Sequence, residues 1–159
     1  MSWHEVNNDT VHDDLNIKGF VDNYRWLSNF YPCKVLFKGL AFNSAENAYQ
    51  AAKSLDPEVW KEFVPLSPAQ AKKKGREIEM REDWDKVKLG IMCDILVDKF
   101  HRNRDLRNKL LGTGDKYLEE TNWWGDRYWG VCKGVGENHL GGLLMKVRDQ
   151  LKGVKDDNS

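Results

Sequence analysis

Four side chains with chemically useful groups stand at helical spacing within residues 43–55. Glu46, Tyr49, Gln50 and Lys53 occupy positions i, i+3, i+4 and i+7, so an acid, a phenol, an amide and an amine share one helix face. A carboxylate beside an amine can move protons or assist attack on an electrophilic carbon. The pattern therefore indicates a catalytic face, with Glu46 and Lys53 as the candidate catalytic residues.

Each of these two residues also has a structural interpretation. Asn43-x-x-Glu46 matches a capping box, in which the glutamate side chain accepts a hydrogen bond from the backbone N–H of the cap residue. Lys53 fits an exposed lysine, the usual fate of that residue type. If aromatic side chains surround it instead, desolvation lowers its pKa and supplies a neutral, nucleophilic amine. Spacing alone leaves both alternatives open.

Further candidates lie outside this helix. Asp126 follows two tryptophans and is a second candidate carboxylate, or else part of a turn. Gly134 and Gly136 precede the last predicted helix, where backbone N–H groups suit a phosphate; the alternative is a tight turn that requires positive φ. Ser28 and Asn29 stand between aromatic residues and fit hydrogen bonds to a ligand or to neighbouring backbone.

The elements that must position these residues are mainly helices. Apolar periodicity, caps and turn residues predict helices over 43–55, 56–64, 69–78, 84–101, 105–111 and 140–151, and short strands over 17–21, 34–42, 117–121 and 127–131. Lys38-Gly39 predicts the turn of a hairpin within 34–42, and Asp56, Ser67 and Asp83 mark predicted helix starts. Two apolar stripes are predicted on these helices: Ala45, Ala48, Ala52 and Leu55 on the first, and Leu89, Met92, Leu96 and Phe100 on the fourth. The fold class is therefore α+β, a predominantly helical single domain with a few short strands. We expect a folded domain over 17–152, a flexible lead-in over 1–16 and a flexible tail over 153–159.

Composition excludes several classes of function. The 159 residues include 25 basic and 25 acidic ones, so no overall positive field attracts nucleic acid or lipid, although the basic helix over 69–78 predicts a local anion-facing patch. Three widely spaced cysteines indicate neither a disulfide framework nor a zinc site. With neither a signal peptide nor a membrane span in the sequence, a soluble, cytoplasmic protein is expected.

Taken together, the motifs resemble those of the NADAR, or YbiA-like, N-glycosidases, in the same order over about residues 20–151. The blocks that carry the resemblance are Ser28-Asn29-Phe30-Tyr31-Pro32, Ser44-x-Glu46 with Tyr49-Gln50 and Lys53, Gly75-Arg76 with Arg81, Asp83 and Trp84, Lys99-Phe100, Trp124-Gly125-Asp126, and Gly134-x-Gly136-x-Asn138-x-Leu140-Gly141. Two positions depart from the family pattern. Asn47 stands where a histidine is common, and Arg127 where a glycine is common.

The resemblance implies a YbiA-like α+β fold and hydrolysis of the N-glycosidic bond between a phosphorylated ribose and a nitrogenous base. The implied substrates are riboflavin biosynthesis intermediates or ADP-ribosylated guanine in nucleic acid, with no cofactor and no metal. The implied catalytic residues are Glu46, Lys53 and Asp126. The implied substrate-binding residues are Ser28, Asn29, Phe30, Tyr49, Gln50, Arg76, Arg81, Trp84, Trp124, Gly134, Gly136 and Asn138.

Two mechanisms are compatible with this resemblance. In the first, Glu46 orients or deprotonates a water molecule and Asp126 assists departure of the base. In the second, Lys53 attacks C1 of the ribose to give a Schiff base, while Glu46 shuttles protons. The alternative to an enzyme is a non-catalytic module that binds ADP-ribose or nucleotides.

Overall fold

The computed structural model describes residues 9–153 and confirms the α+β class with short strands and a majority of helix among its regular elements. In chain order the strands are β1 Val11–His12, β2 Asn16–Lys18, β3 Val35–Phe37, β4 Leu40–Phe42, β5 Tyr117–Glu119, β6 Thr121–Asn122 and β7 Val131–Cys132. The helices are α1 Ala45–Ala51, α2 Pro57–Glu62, α3 Pro68–Gly75, α4 Trp84–Arg102, α5 Arg104–Gly112 and α6 His139–Lys152, with a 3-10 segment at Asp22–Leu27.

The chain forms two compact units. The central unit is Asn29–Arg107, and the terminal unit comprises the described parts of Met1–Ser28 and Asn108–Ser159. In the terminal unit β2 lies between β1, which is antiparallel to it, and β5, which is parallel to it. β6 and β7 form a separate parallel pair, and α6 packs against β5.

The strand β1 falls inside the range predicted as a lead-in. Val11 and His12 pair with Lys18 and Ile17, and the His12 ring lies 2.8 Å from the backbone oxygen of Gly19. Regular structure therefore begins before residue 17. Residues 1–8 of the predicted lead-in and 154–159 of the predicted tail lie outside the described residues.

The central unit begins with a hairpin that leads into α1. β3 and β4 are antiparallel, and the two turn residues Lys38 and Gly39 have φ values of 52° and 78°, as a two-residue hairpin turn requires. The predicted turn position is therefore correct. On α4, the Asp98 carboxylate accepts a hydrogen bond from the backbone N–H of Leu36 at 2.7 Å, which ties this hairpin to the longest helix.

Helix α1 is shorter than its predicted range because it ends at Ala51. Ala45, Ala48 and Ala52 are buried as predicted, and the small side chains let α1 pack against both α3 and α4. Leu55 was expected on the same stripe but is 65% exposed, since the chain leaves the helix before it reaches that position. The face of α1 with small side chains is therefore the face that allows close helix packing.

Two of the predicted helix starts have side-chain caps that the structure confirms. The Asp56 carboxylate accepts from the N–H of Glu58, and Ser67 forms a complete capping box with Gln70 at the start of α3. Asp83 precedes α4 but makes no capping hydrogen bond with its side chain. In α4, Met92, Leu96 and Phe100 are buried as predicted, whereas Leu89 is 38% exposed.

Asn47 connects α1 to the chain that follows α2. Its side chain is fully buried, and its amide nitrogen donates to the backbone oxygens of Phe63 at 2.9 Å and Leu66 at 2.7 Å. Its amide oxygen accepts from the Ser44 hydroxyl at 2.6 Å. The residue that departs from the family pattern thus has a structural role in the central unit.

Replacement of Asn47 should destabilise the protein strongly. Asn47→Ala removes the side-chain hydrogen bonds to the backbone oxygens of Phe63 and Leu66 and the one from the Ser44 hydroxyl, so we expect a loss of about 2 kcal/mol or more in the free energy of unfolding, measured by urea denaturation. Asn43→Ala is the matched control, because it removes one exposed hydrogen bond to the backbone oxygen of Val64. Equal losses in the two variants would contradict the assigned role of Asn47.

Candidate functional site

The beginning of α1 removes the structural interpretation of Glu46. Ser44, not Asn43, is the cap residue, and its hydroxyl accepts from the N–H of Asn47 at 3.1 Å. The capping box predicted from Asn43 and Glu46 is therefore wrong by one residue. The backbone N–H of Glu46 donates to the backbone oxygen of Asn29 at 2.9 Å, and Glu46 is the second helical residue, not the third that a capping box uses.

The Glu46 carboxylate lies inside the central unit. The residue is 7% exposed, and the amide nitrogen of Gln50, one turn later, donates to Glu46 Oε1 at 2.7 Å. Lys53 is close enough for the Glu46 charge to raise its pKa. The helical spacing read from the sequence thus brings the acid, the amide and the amine together.

Lys53 is only partly buried, but its ammonium group lies in an unfavourable environment. Desolvation lowers the pKa of Lys53, and the positive charges of Arg76, Lys72 and Lys88 lower it further against the opposing effect of Glu46. Its Nζ is 5.7 Å from the centroid of the Tyr49 ring. The environment therefore favours a neutral amine more than ordinary solvent does, as nucleophilic attack by lysine requires.

Tyr49 and Trp84 form an aromatic support beside Lys53. Their ring centroids are 5.1 Å apart with the planes tilted by 58°, and the residues are 8% and 5% exposed. Because so little of either ring is exposed, Tyr49 and Trp84 offer no broad face on which a base could stack. Phe30 is 40% exposed, and Lys72 Nζ lies 5.8 Å from the centroid of its ring. Phe30 is thus the better stacking surface of the three.

The positive charges around Lys53 come from two helices. Lys72 and Arg76 belong to the end of α3, and Lys88 is on α4, where its Nζ lies 3.2 Å from Asp85 Oδ1. The sequence predicted a basic patch on α3 but missed Lys88. Its helical spacing from Trp84, at i+4, was the available signal. The cluster formed by Lys72, Arg76 and Lys88 is called the cation cluster below.

Arg81 is held by an acidic neighbour. Its Nε and Nη2 donate to the two carboxylate oxygens of Asp83 at 2.6 and 2.9 Å, which raises the pKa of Arg81 and lowers that of Asp83. Its backbone N–H donates to the backbone oxygen of Lys53 at 2.7 Å. Arg81 thus fixes the chain at Lys53, and a role in phosphate binding stays a prediction. It also lines a cleft of about 620 Å³ with Ser54 and Met80.

Asn29 supports the base of this site from the beginning of the central unit. Besides accepting from Glu46, it donates through its side-chain nitrogen to the Met92 sulfur at 3.5 Å. The central unit therefore holds most of the predicted site residues: Asn29, Phe30, Glu46, Tyr49, Gln50, Lys53, Arg76, Arg81 and Trp84.

The remaining predicted site residues belong to the terminal unit: Ser28, Trp124, Asp126, Gly134, Gly136 and Asn138. Ser28 follows the 3-10 segment, and Trp124 is 51% exposed. Asp126 Oδ1 accepts from the N–H groups of Tyr128 and Trp129 at 3.1 and 2.9 Å, which is the turn interpretation of this residue. A catalytic role for Asp126 stays a prediction.

The glycine-rich segment has a clear structural explanation. Lys133 and Gly134 have φ values of 52° and 77° in a hairpin turn between Cys132 and Val135, and a Cβ at Gly136 would overlap the backbone oxygen of Gly130. The Asn138 side chain donates to the backbone oxygen of Leu118 at 2.9 Å and accepts from the N–H of Glu120 at 3.0 Å. Phosphate binding by this segment stays a prediction.

Two features are not found in residues 9–153, a metal-binding cluster and a membrane-spanning helix. That part of the chain holds no cluster of three or more histidine, cysteine or carboxylate side chains able to hold a metal ion. A search of the same residues finds no helix with the length and apolar character needed to cross a membrane.

The cation cluster should control the protonation of Lys53. Lys72→Met removes a positive charge near the amine, so we expect the pKa of Lys53 to rise toward its ordinary value, measured by NMR titration of its ¹³Cε resonance. Lys73→Met is the matched control, because it removes the same charge from an exposed neighbouring position. An unchanged Lys53 titration in Lys72→Met, or an equal rise in both variants, would contradict the assignment.

Comparison with known proteins agrees with the expected family. The NADAR domain model matches residues 8–152. The chain is 35% identical over 151 residues to N-glycosidase YbiA of Escherichia coli, which covers 92% of this chain and 91% of that protein. It is 35% identical to N-glycosidase Npun_R5314 of Nostoc punctiforme, over 82% of this chain and 88% of that one. It is also 36% identical to riboflavin biosynthesis protein VVA0006 of Vibrio vulnificus, but spans only 36% of its length.

The fold agrees as well. The NMR structure of E. coli YbiA matches with a TM-score of 0.78 and 32% identity, over 95% of both chains. The names of these relatives confirm the expected enzyme class, a glycosidase that acts on N-glycosyl bonds. Because the family model covers nearly all of the described residues and the relatives align at about one residue in three, this chain belongs to the NADAR domain family.

Proposed function

We propose that this protein hydrolyses the N-glycosidic bond between a phosphorylated ribose and a nitrogenous base. The observation that carries the proposal is the buried Glu46 carboxylate in the first turn of α1, whose charge acts on the partly buried Lys53 amine just after the end of that helix. The names of the relatives support the reaction class. The proposed substrates are riboflavin biosynthesis intermediates or ADP-ribosylated guanine in nucleic acid, and the proposed location is the cytoplasm.

The surroundings of Lys53 suit the two ends of such a substrate. The cation cluster supplies positive charge for a phosphate group, and the exposed Phe30 ring supplies a face for a planar base. A phosphate bound to the cluster would draw the anomeric carbon of its ribose toward Lys53 and Glu46. The same charges therefore serve substrate binding and favour the neutral form of the free amine by lowering its pKa.

Of the two mechanisms, attack by Lys53 has more support. The neutral amine attacks C1 of the ribose, and the bond from C1 to the base breaks, with its electron pair leaving on the base. Glu46 takes one proton from the nitrogen and passes it to the base. It passes the second to the ring oxygen as the ring opens, which leaves a Schiff base. Water then adds to the imine carbon, and the bond to Lys53 breaks, which restores the amine and releases the open-chain sugar as an aldehyde.

Direct attack by water has less support. In that mechanism Glu46 deprotonates the water molecule and Asp126 assists the departing base. Asp126 Oδ1 already accepts two backbone hydrogen bonds within its own turn. Protonation of this carboxylate would weaken both bonds, so the turn favours a structural role for Asp126.

Base release is the direct test of the proposal. The protein is incubated with a phosphorylated ribosylamino-pyrimidine or with ADP-ribosylated guanosine, and the products are separated by chromatography. Glu46→Gln should lower turnover by about 100-fold or more, because it removes the proton shuttle. Glu58→Gln is the matched control, since that carboxylate lies in an exposed ion pair on α2 and should leave turnover unchanged.

Three outcomes would contradict the proposal. Wild-type protein that binds ADP-ribose tightly but releases no base from either substrate would be a binding module. Glu46→Gln with near-normal turnover and an intact fold would exclude both mechanisms. Equal losses in Glu46→Gln and Glu58→Gln would show that the assay reports a general effect of charge and not the proposed site.

A further inference from the structure

Gln50 is the hydrogen-bond partner of Glu46 and is itself deeply buried. The residue is 5% exposed, and its Nε2 donates to Glu46 Oε1 at 2.7 Å. This orientation of the amide suits an ionised carboxylate, which only accepts hydrogen bonds. This hydrogen bond lets Gln50 act on the reaction through Glu46, while its expected contact with the substrate stays a prediction.

The other end of the same amide has no hydrogen-bond partner. Within residues 9–153 no group donates to Gln50 Oε1, although the atom is inaccessible to solvent. Buried acceptors are nearly always paired, so an unpaired one next to a candidate catalytic carboxylate calls for an explanation. Either the amide is tolerated with an unused acceptor, or that acceptor is used in another state of the site.

Gly75 explains why the amide fits in this place. A Cβ at Gly75 would overlap Gln50 Oε1 and lie 2.7 Å from Gln50 Cδ. The backbone of Gly75 is not among the residues with positive φ, so the conformation of the chain does not demand glycine here. Glycine also weakens a helix relative to alanine. The requirement at Gly75 is therefore the close approach of α3 to the Gln50 amide.

An amide held in this way can form a hydrogen bond with Glu46 in either protonation state of the carboxyl group. In the proposed mechanism Glu46 accepts a proton and later gives it back, so a partner that accepts as well as donates can also pair with the O–H of the protonated group. A half-turn about the last side-chain torsion of Gln50, which has a broad, roughly two-fold profile, exchanges Nε2 and Oε1. Oε1 then accepts from the protonated carboxyl group, and Nε2 takes the position beside Gly75.

We propose that Gln50, packed against Gly75, is a positioning residue that keeps the Glu46 carboxyl group hydrogen-bonded in both its ionised and its protonated state. The inference rests on the proposed function for its catalytic meaning, but the hydrogen bond and the contact with Gly75 do not depend on it. A group that only donates, such as lysine, could not accept from the O–H of the protonated carboxyl group. An amide beside a glycine satisfies both forms without movement of the helices.

The charged groups around Glu46 must stay constant in any test. Lys53, after α1, interacts with the Glu46 charge, and Arg76, Lys72 and Lys88 act in turn on Lys53. Gly75→Ala alters none of these charges, and it reaches Glu46 only through the displaced amide. Gln50→Met removes the amide but keeps the approximate length of the side chain. Gly90→Ala is the matched control, because an added Cβ there has nothing within 4 Å.

The first measurement is the titration of the Glu46 carboxyl carbon by NMR, assigned from its absence in Glu46→Gln. Loss of the Gln50 donor destabilises the ionised form, so the midpoint should move to higher pH in Gln50→Met and Gly75→Ala and stay unchanged in Gly90→Ala. In wild-type protein the side-chain NH₂ resonances of Gln50 should shift with the same midpoint as Glu46. This experiment needs no substrate, so it decides the inference even if the proposed function fails.

The second measurement separates positioning from substrate binding. Gln50→Met and Gly75→Ala should lower kcat and move the acid limb of its pH profile to higher pH, while KM changes by less than about threefold. A rise in KM with unchanged kcat would identify Gln50 as a substrate contact and overturn the inference. An unchanged Glu46 titration in folded Gln50→Met, or Gln50 NH₂ resonances that ignore the Glu46 titration, would overturn it as well.

Discussion

Burial of the Lys53 amine among other positive charges is the constraint on which the rest of the site depends. Three cations at the end of α3 and on α4 oppose the charged form of Lys53, and Glu46 favours it. Such an arrangement lowers the stability of the folded protein whenever the amine is protonated. In the proposed function, the same charges favour the neutral amine and bind the anionic part of the substrate.

The scaffold around α1 divides its structural tasks among several polar side chains. Ser44 caps the helix and Asn47 forms the hydrogen bonds to the chain after α2, so neither task depends on the Glu46 carboxylate. Small residues on the opposite side allow α3 and α4 to approach closely. The Arg81 backbone holds the carbonyl group of Lys53. Rigidity thus comes from buried polar contacts close to the site.

The sequence predicted much of this site because the information was local. Helical spacing placed Glu46, Gln50 and Lys53 on one face, and the turn at Lys38 and Gly39 and the cap at Ser67 were read correctly. The predictions that failed depended on the exact position of a single residue or on tertiary contacts. The cap at Ser44 lies one residue from the predicted one.

The contribution of Lys88 depends on the packing of α4 near α1, and the reason for glycine at position 75 depends on the approach of α3. Neither of these tertiary contacts can be inferred from spacing along the chain.

The glycine-rich segment shows a different limit of sequence patterns. Its pattern suits a phosphate, yet a hairpin turn and a close backbone contact account for Gly134 and Gly136. Local patterns therefore identify which residues can act, and tertiary contacts decide how they are used.

Reductive trapping of the enzyme during turnover tests the role of Lys53 most directly. Borohydride reduces a Schiff base to a stable amine, so peptide mass spectrometry should find the ribosyl group attached at Lys53 in wild-type protein incubated with substrate. Lys53→Met should show no adduct, and Lys61, exposed in an ion pair on α2, should remain unmodified in both proteins. Continued base release by wild-type protein without any adduct at Lys53 would contradict the account and leave attack by water.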